Sequence, residues 1–163
     1  MDPLRQVLQS VQIMADIMES TLDVRVDFTP ASLRRIEKAI NRVYPLGHEP
    51  MTSTIVSYGI YLGEVFARNI PRTEWGTYSE DFLSWHFRST GESQVFIGYP
   101  LKRVHDFWFD RSRGLSAFYH MNVDALEGRL DLEVSEEWKL KEGEYMYRFP
   151  ASVRIDTKKK SGG

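Results

Sequence analysis

The sequence predicts an α+β domain in which amphipathic helices pack on a small antiparallel sheet. In five segments the apolar residues recur at steps of three and four, which is the period of a helix with one buried face. In most of the remaining segments they alternate with polar residues, which is typical of strands buried on one side. The chain shows no internal repeat and no linker long enough to divide these segments, so we predict a single domain over residues 1–157.

The first helix is predicted over residues 3–20. Its apolar stripe consists of Leu4, Val7, Leu8, Val11, Met14, Ile17 and Met18. Residues 24–28 follow, and their alternation of apolar and charged side chains predicts a short extended segment.

A second helix is predicted to begin after Thr29, which can cap it, with Pro30 in its first turn. Its buried face is Leu33, Ile36, Ile40 and Val43. Pro45 ends it. The opposite face carries Arg34, Arg35, Lys38 and Arg42. We interpret that basic face as solvated, because no recognised nucleic-acid-binding motif accompanies it.

A third helix, over residues 51–68, contains two glycines four positions apart, Gly59 and Gly63, followed directly by Glu64. Each glycine weakens a helix interior by roughly 1 kcal/mol relative to alanine. The spacing therefore indicates either close packing on one side of the helix or room for a ligand beside Glu64. The aromatic residues expected to fill the glycine groove are Trp75, Tyr78 and Trp85. Glu64 itself is either solvated, a capping residue or a pocket carboxylate.

After the third helix the apolar residues recur at every second position, which is the period of a strand. Residues 81–88 and 94–99 predict the two strands of a hairpin around the turn at 89–93. Two helices follow, the first opened by Pro100 and the second ended by Gly128. Further strands are predicted at residues 129–134 and 145–155. We regard residues 1–24 and 129–157 as candidate additions to the domain, and residues 158–163 as a flexible tail.

Composition excludes several classes of site and partner. With 21 basic and 23 acidic residues the net charge is -2, which gives no global attraction to nucleic acid or to an anionic membrane. The chain contains no cysteine, which excludes disulfides and thiolate chemistry. Its most apolar stretch is interrupted by Ser57, two glycines and Glu64, and its start does not have the pattern of a signal peptide. We expect a soluble, cytoplasmic protein without membrane or nucleic-acid partners.

The third helix and its flanks resemble a set of small bacterial domains of unknown function. The resemblance rests on the G-x-Y-x-G-E pattern at residues 59–64, on the tryptophan of the TEWG sequence, and on the FTPASLRRIEKAI sequence before the helix. It covers residues 26–110 and implies an α+β fold in a protein of bacteria or their phages. It brings no established reaction and no catalytic residues.

Catalytic and metal-binding patterns are absent from the sequence. No pair among the four histidines has the four-residue helical spacing, with a third ligand, that a zinc site requires. We therefore predict no metal and no cofactor. The alternative is an enzyme whose noncontiguous site combines carboxylates and histidines, for which the candidates are Glu64, His86, His105 and Asp106.

Three consecutive aromatic residues, Phe107, Trp108 and Phe109, favour an interaction surface. Successive helical residues are separated by about 100°, so three neighbours cannot all face one side of a helix. The aromatic surface that one face cannot bury must be covered by a protein partner, by a second copy of the chain or by the carboxy-terminal strands. We predict a non-catalytic protein-interaction module, for example a neutralising, immunity-like or accessory partner. Its candidate binding residues are Gly59, Gly63, Trp75, Trp85, Phe107, Trp108 and Phe109.

Overall fold

The computed structural model describes residues 2–92, 94–112 and 114–128, together with the backbone of three short strands at 139–141, 144–145 and 153–157. The helices in these ranges are α1 (Pro3–Gln9), α2 (Val11–Leu22), α3 (Pro30–Val43), α4 (Thr52–Asn69), α5 (Pro100–Phe109) and α6 (Leu115–Leu126). The strands are β1 (Thr73–Trp75), β2 (Phe87–Thr90), β3 (Gln94–Gly98), β4 (Lys139–Lys141), β5 (Glu144–Tyr145) and β6 (Val153–Thr157). A 3-10 helix, Phe82–Ser84, precedes β2.

The described strands form one antiparallel sheet in the order β1-β2-β3-β6-β5-β4. The predicted hairpin is present, with Phe87 opposite Gly98 and Ser89 opposite Phe96. The rings of Phe87 and Phe96 lie on the face that meets the helices, where both contact Phe118 of α6. The α+β fold, with helices packed on a small antiparallel sheet, is therefore confirmed.

Helix α4 lies at the centre of the helical layer and is buried on most sides. Its buried residues are Ile55, Tyr58, Gly59, Ile60, Tyr61, Leu62, Gly63, Val65 and Phe66. A Cβ atom added at Gly63 would overlap the ring of Trp75, and one added at Gly59 would lie 2.6 Å from Leu101 Cγ. The interpretation of the two glycines as close-packing positions is confirmed, with β1 on one glycine and α5 on the other.

Helix α6 is held at its start by two residues from distant parts of the chain. Its N-cap is Gly114, which has no side chain to bond the free N–H groups. The Glu37 carboxylate of α3 accepts a hydrogen bond from the Ser116 backbone N–H instead. Arg103 of α5 donates to the Gly114 carbonyl at 3.0 Å. The start of α6 is therefore tied to both α3 and α5.

The segment predicted as one helix over residues 3–20 forms two helices, α1 and α2. The chain turns at Ser10, where ψ is 8° and the backbone N–H bonds the Val7 carbonyl at 2.9 Å. The buried face of α2 is Val11, Ala15, Met18 and Leu22. Ile17 was predicted in the apolar stripe but is 61% exposed, because the buried face after the break follows a different set of positions.

No strand forms at residues 24–28, where a short extended segment was predicted, and Phe28 departs from extended backbone. The Val26 N–H bonds the Glu19 side chain at 2.9 Å, and Phe28 has a left-handed φ of 61°. Side chains thus accept the backbone hydrogen bonds that a neighbouring strand would otherwise accept. Val43, predicted on the buried face of α3, is 40% exposed at the last residue of the helix.

The strand predicted at residues 81–88 begins only at Phe87. The Asp81 side chain accepts a hydrogen bond from the Leu83 N–H at 3.1 Å and starts the 3-10 helix. Strand β1 was missed, because three residues are too few to show an alternating pattern. The predicted strand at 129–134 and the tail at 158–163 lie outside the described residues. Of the strand predicted at 145–155, the described parts lie in β5 and β6.

Replacing Gly63 with leucine should destabilise the fold. The new side chain would displace the Trp75 ring from α4, and overpacking of this kind costs about 1–3 kcal/mol. Thermal melting measures the loss, and Ser53→Leu, at an exposed position of the same helix, is the control. An unchanged melting temperature for Gly63→Leu together with loss of ligand binding would make the glycine groove a binding site.

Replacing Glu37 with alanine should also lower stability, because the α6 amide would lose its acceptor. Loss of a helix cap costs about 0.5–2 kcal/mol. Urea denaturation should show this loss for Glu37→Ala and little change for Lys38→Ala, which alters an exposed side chain of the same helix. Equal stability of the two variants would mean that Glu37 does not act as the cap.

Candidate functional site

A cleft of about 200 Å³ opens between the turn before α4, the 3-10 helix and the carboxy-terminal half of α5. Its lining is Glu49, Pro50, Thr52, Ile55, Phe82, Leu83, His105 and Phe109. Five of the eight lining side chains are apolar, and the other three contribute a carboxylate, a hydroxyl and an imidazole. This combination is typical of sites that bind a ligand in one orientation.

Local structure explains how each wall is placed. In the turn before α4, His48 N–H bonds the Pro45 carbonyl at 3.3 Å, and Gly47 adopts a φ of 88° that few other residues tolerate. The Asp81 cap sets the 3-10 helix that carries Phe82 and Leu83. On α5 the rings of His105 and Phe109 lie on the same side because they are four residues apart, and their centroids are 5.1 Å apart.

Aromatic packing between α3, α4 and α5 supports the cleft from within. The Trp108 ring contacts Tyr44 and Tyr58, at centroid distances of 4.7 and 5.9 Å. The two tyrosine hydroxyls are 3.3 Å apart. Burial, together with the hydrogen bond to Tyr44, raises the pKa of the Tyr58 hydroxyl well above its usual range. Tyr58 therefore stays neutral and acts as a packing group.

One large apolar side chain in the lining of the cleft is exposed, because Phe109 is 48% accessible to solvent. Two further exposed apolar residues, Leu46 and Met51, belong to the segment between α3 and α4. Isolated exposed apolar residues are common, but an exposed aromatic ring that lines a concave site indicates a contact surface.

The predicted aromatic run is divided between the core and this surface. Phe107 and Trp108 are each 1% exposed, so neither faces a partner. They are covered within the chain, Trp108 by Tyr44 and Tyr58. The surface contributed by the run is therefore Phe109 alone.

The other predicted binding residues lie in the packed interior. Gly59, Gly63 and Trp75 form the contacts of α4 described above. Trp85 is 6% exposed, and its indole N–H bonds the Ser79 carbonyl at 2.6 Å. These residues shape the fold and do not line the cleft.

Glu64 has a structural role that the sequence did not reveal. One carboxylate oxygen accepts a hydrogen bond from the Trp75 indole N–H at 3.0 Å. The other pairs with Arg68 at 3.0 Å, one turn further along α4. The carboxylate thus holds the ring that packs on Gly63.

The residues of the enzyme alternative lie at different places. His105 Nδ1 is 3.7 Å from Asp106 Oδ1, and Asp106 pairs with Lys102 at 3.0 Å. His86 borders a separate pocket on the sheet, of about 250 Å³, beside Glu74 and Arg88. Of the four candidates, His105 and Asp106 are neighbours in the chain and lie side by side, while Glu64 bonds Trp75, which lines the pocket that His86 borders. Within the described residues, no group of three or more histidine or carboxylate side chains is arranged to hold a metal ion.

Sequence reasoning missed most of the cleft. Glu49 and Pro50 belong to a turn-rich segment, while Phe82 and Leu83 lie in the segment predicted to be a strand. Their convergence depends on contacts between distant segments. Two lining residues were named from the sequence: Phe109, as the last member of an aromatic run too wide for one helix face, and His105, as a candidate of the enzyme alternative.

Comparison of this chain with known protein families, curated proteins and solved structures finds no match in any of the three. In the part of the chain that the structure describes, every helix is too short or too polar to cross a membrane.

Purified protein should contain no stoichiometric zinc or iron. The described histidines and carboxylates do not form a set of ligands, and the chain has no cysteine. Elemental analysis after dialysis tests this expectation. A value near one metal ion per chain that falls on His86→Ala or on His105→Ala would contradict it and would support the enzyme alternative.

Proposed function

We propose that this chain is a non-catalytic protein-interaction module, and that the cleft beside α5 receives an apolar side chain of its partner. The observation that carries the proposal is the exposed aromatic ring of Phe109 in the lining of a concave site. Aromatic side chains are enriched at protein interfaces, and buried anchors in pockets supply most of the binding energy.

The biological setting proposed for the module follows from the resemblance of its central segment to small bacterial domains. We place it in the cytoplasm of a bacterium or in a phage-infected cell, as a neutralising, immunity-like or accessory partner of another protein. A second copy of the chain is the other partner to be tested.

Phe109→Asp should weaken binding without unfolding the chain. The side chain is half exposed, and a carboxylate placed there would lose its solvation when an apolar anchor enters. Peptides selected from a random displayed library on the intact chain provide the probe. Their affinity should fall at least about tenfold for Phe109→Asp, as expected for loss of an interface anchor.

Ile17→Asp is the matched control, because Ile17 is 61% exposed on α2 and does not line the cleft. Thermal melting of both variants establishes that each is folded. Selected peptides that bind wild type and Phe109→Asp equally would overturn the proposed site. Light scattering tests whether the partner is a second copy of the chain. A dimer that dissociates on Phe109→Asp would show that the chain binds itself through the cleft.

A further inference from the structure

Strand β1 lies at one end of the described sheet and has a free edge, because β2 is the one strand that it pairs with there. Alternate residues make the hydrogen bonds to β2. The Arg72 carbonyl accepts from β2 at 3.1 Å, and the Gly76 N–H donates to β2 at 2.8 Å. In an antiparallel ladder, every second residue directs its backbone groups away from the partner strand. Thr73 and Trp75 therefore direct theirs to the free edge.

These outward backbone groups have no partner in the part of the chain that the structure describes. A row of unpaired N–H and C=O groups at a sheet edge is a template for another strand. At the far end of β1, the Arg5 guanidinium of α1 reaches the Gly76 carbonyl at 3.3 Å. Thr73 is half-buried, whereas Trp75 is 8% exposed. The accessible part of the edge is therefore centred on Thr73.

Two opposite charges flank Thr73 on the face of the sheet that is turned away from the helices. Glu74 alternates with Trp75, whose ring packs on α4, and Arg72 lines the same concavity of about 290 Å³ as Glu74. Arg72 has a left-handed φ of 58°, but its carbonyl already belongs to the ladder. Both charged side chains are exposed. Neither forms an ion pair with a described side chain, including Arg88 opposite Glu74 on β2.

An antiparallel second copy of this edge matches the charges in one register only. Backbone bonding requires Thr73 or Trp75 of one copy to lie opposite Thr73 or Trp75 of the other. With Thr73 opposite Thr73, Arg72 of each copy lies opposite Glu74 of the other, which gives two cation–anion pairs. With Thr73 opposite Trp75, the two Glu74 side chains face each other and repel. With Trp75 opposite Trp75, no charges are matched and the contact moves towards α1.

We propose that β1 pairs with β1 of a second copy in the Thr73 register, and that the chain thereby forms a two-fold dimer with one continuous sheet. Charges on an edge strand usually prevent such pairing, because identical copies repel. Here opposite charges two positions apart make antiparallel pairing attractive and select its register. An edge this short predicts a weak, concentration-dependent dimer. None of these residues lines the cleft, so the dimer does not depend on the proposed function.

Sedimentation of the intact chain over a concentration series tests the pairing, and the wild type should show a reversible monomer–dimer equilibrium. Glu74→Arg and Arg72→Glu should each raise the dimer dissociation constant at least about tenfold, because each places like charges opposite each other twice. An equimolar mixture of the two variants should dimerise again, since the arginines of one variant then lie opposite the glutamates of the other. Lys38→Glu, a charge reversal at an exposed position of α3, should leave the equilibrium unchanged.

Thermal melting establishes that each variant is folded, and hydrogen exchange gives a second readout. The Thr73 amide should exchange more slowly at concentrations where the dimer forms. A wild-type chain that is still monomeric at about 1 mM would overturn the proposal. A mixture of the two variants that remains monomeric would overturn it as well. A dimer that persists in Glu74→Arg but dissociates on Phe109→Asp would assign self-association to the cleft and contradict pairing through β1.

Discussion

The close approach of Trp75 and Leu101 to the two glycines of α4 is the constraint on which the rest of the structure depends. At Gly63 the indole of β1 lies against the helix backbone, held there by Glu64. At Gly59 the same helix receives Leu101 at the start of α5. Because α5 carries one wall of the cleft, and the start of α4 carries another, these contacts position the site as well as the core. The helix accepts the intrinsic cost of both glycines because the burial that they permit is larger.

The sequence predicted those elements whose signals are local. Thr29 caps α3 as expected, with its side chain accepting from the Ser32 N–H, and Pro100 lies in the first turn of α5. Two of the errors occur where the chain changes direction, at Ser10 and at Asp81. Neither position interrupts the apolar pattern, since the turn at Ser10 is closed by its backbone N–H and the turn at Asp81 by its carboxylate, which accepts from the Leu83 N–H. The spacing of apolar residues alone therefore predicts one continuous helix through Ser10 and a strand that begins at Asp81.

The candidate site was predictable only in part, for a related reason. Three adjacent aromatic residues showed that α5 has more apolar surface than one face can bury, but not which ring remains outside. That choice depends on Tyr44 and Tyr58, which reach Trp108 from α3 and α4. The function of Glu64 was hidden in the same way, since its partner Trp75 lies beyond the helix that contains the carboxylate. Residue type indicated candidates, and long-range packing determined their roles.

The division of α5 between core and surface has a consequence for binding. Trp108 is fixed by its two tyrosines, so the backbone that presents the neighbouring Phe109 is fixed as well. Arg111 also ties the end of α5 to the end of α3, because it donates both to Asn41 and to the Tyr44 carbonyl. A partner that enters the cleft therefore meets an α5 wall that is already held in place, and little free energy is spent on ordering it. Affinity should then depend on how well the anchor of the partner fills the cleft.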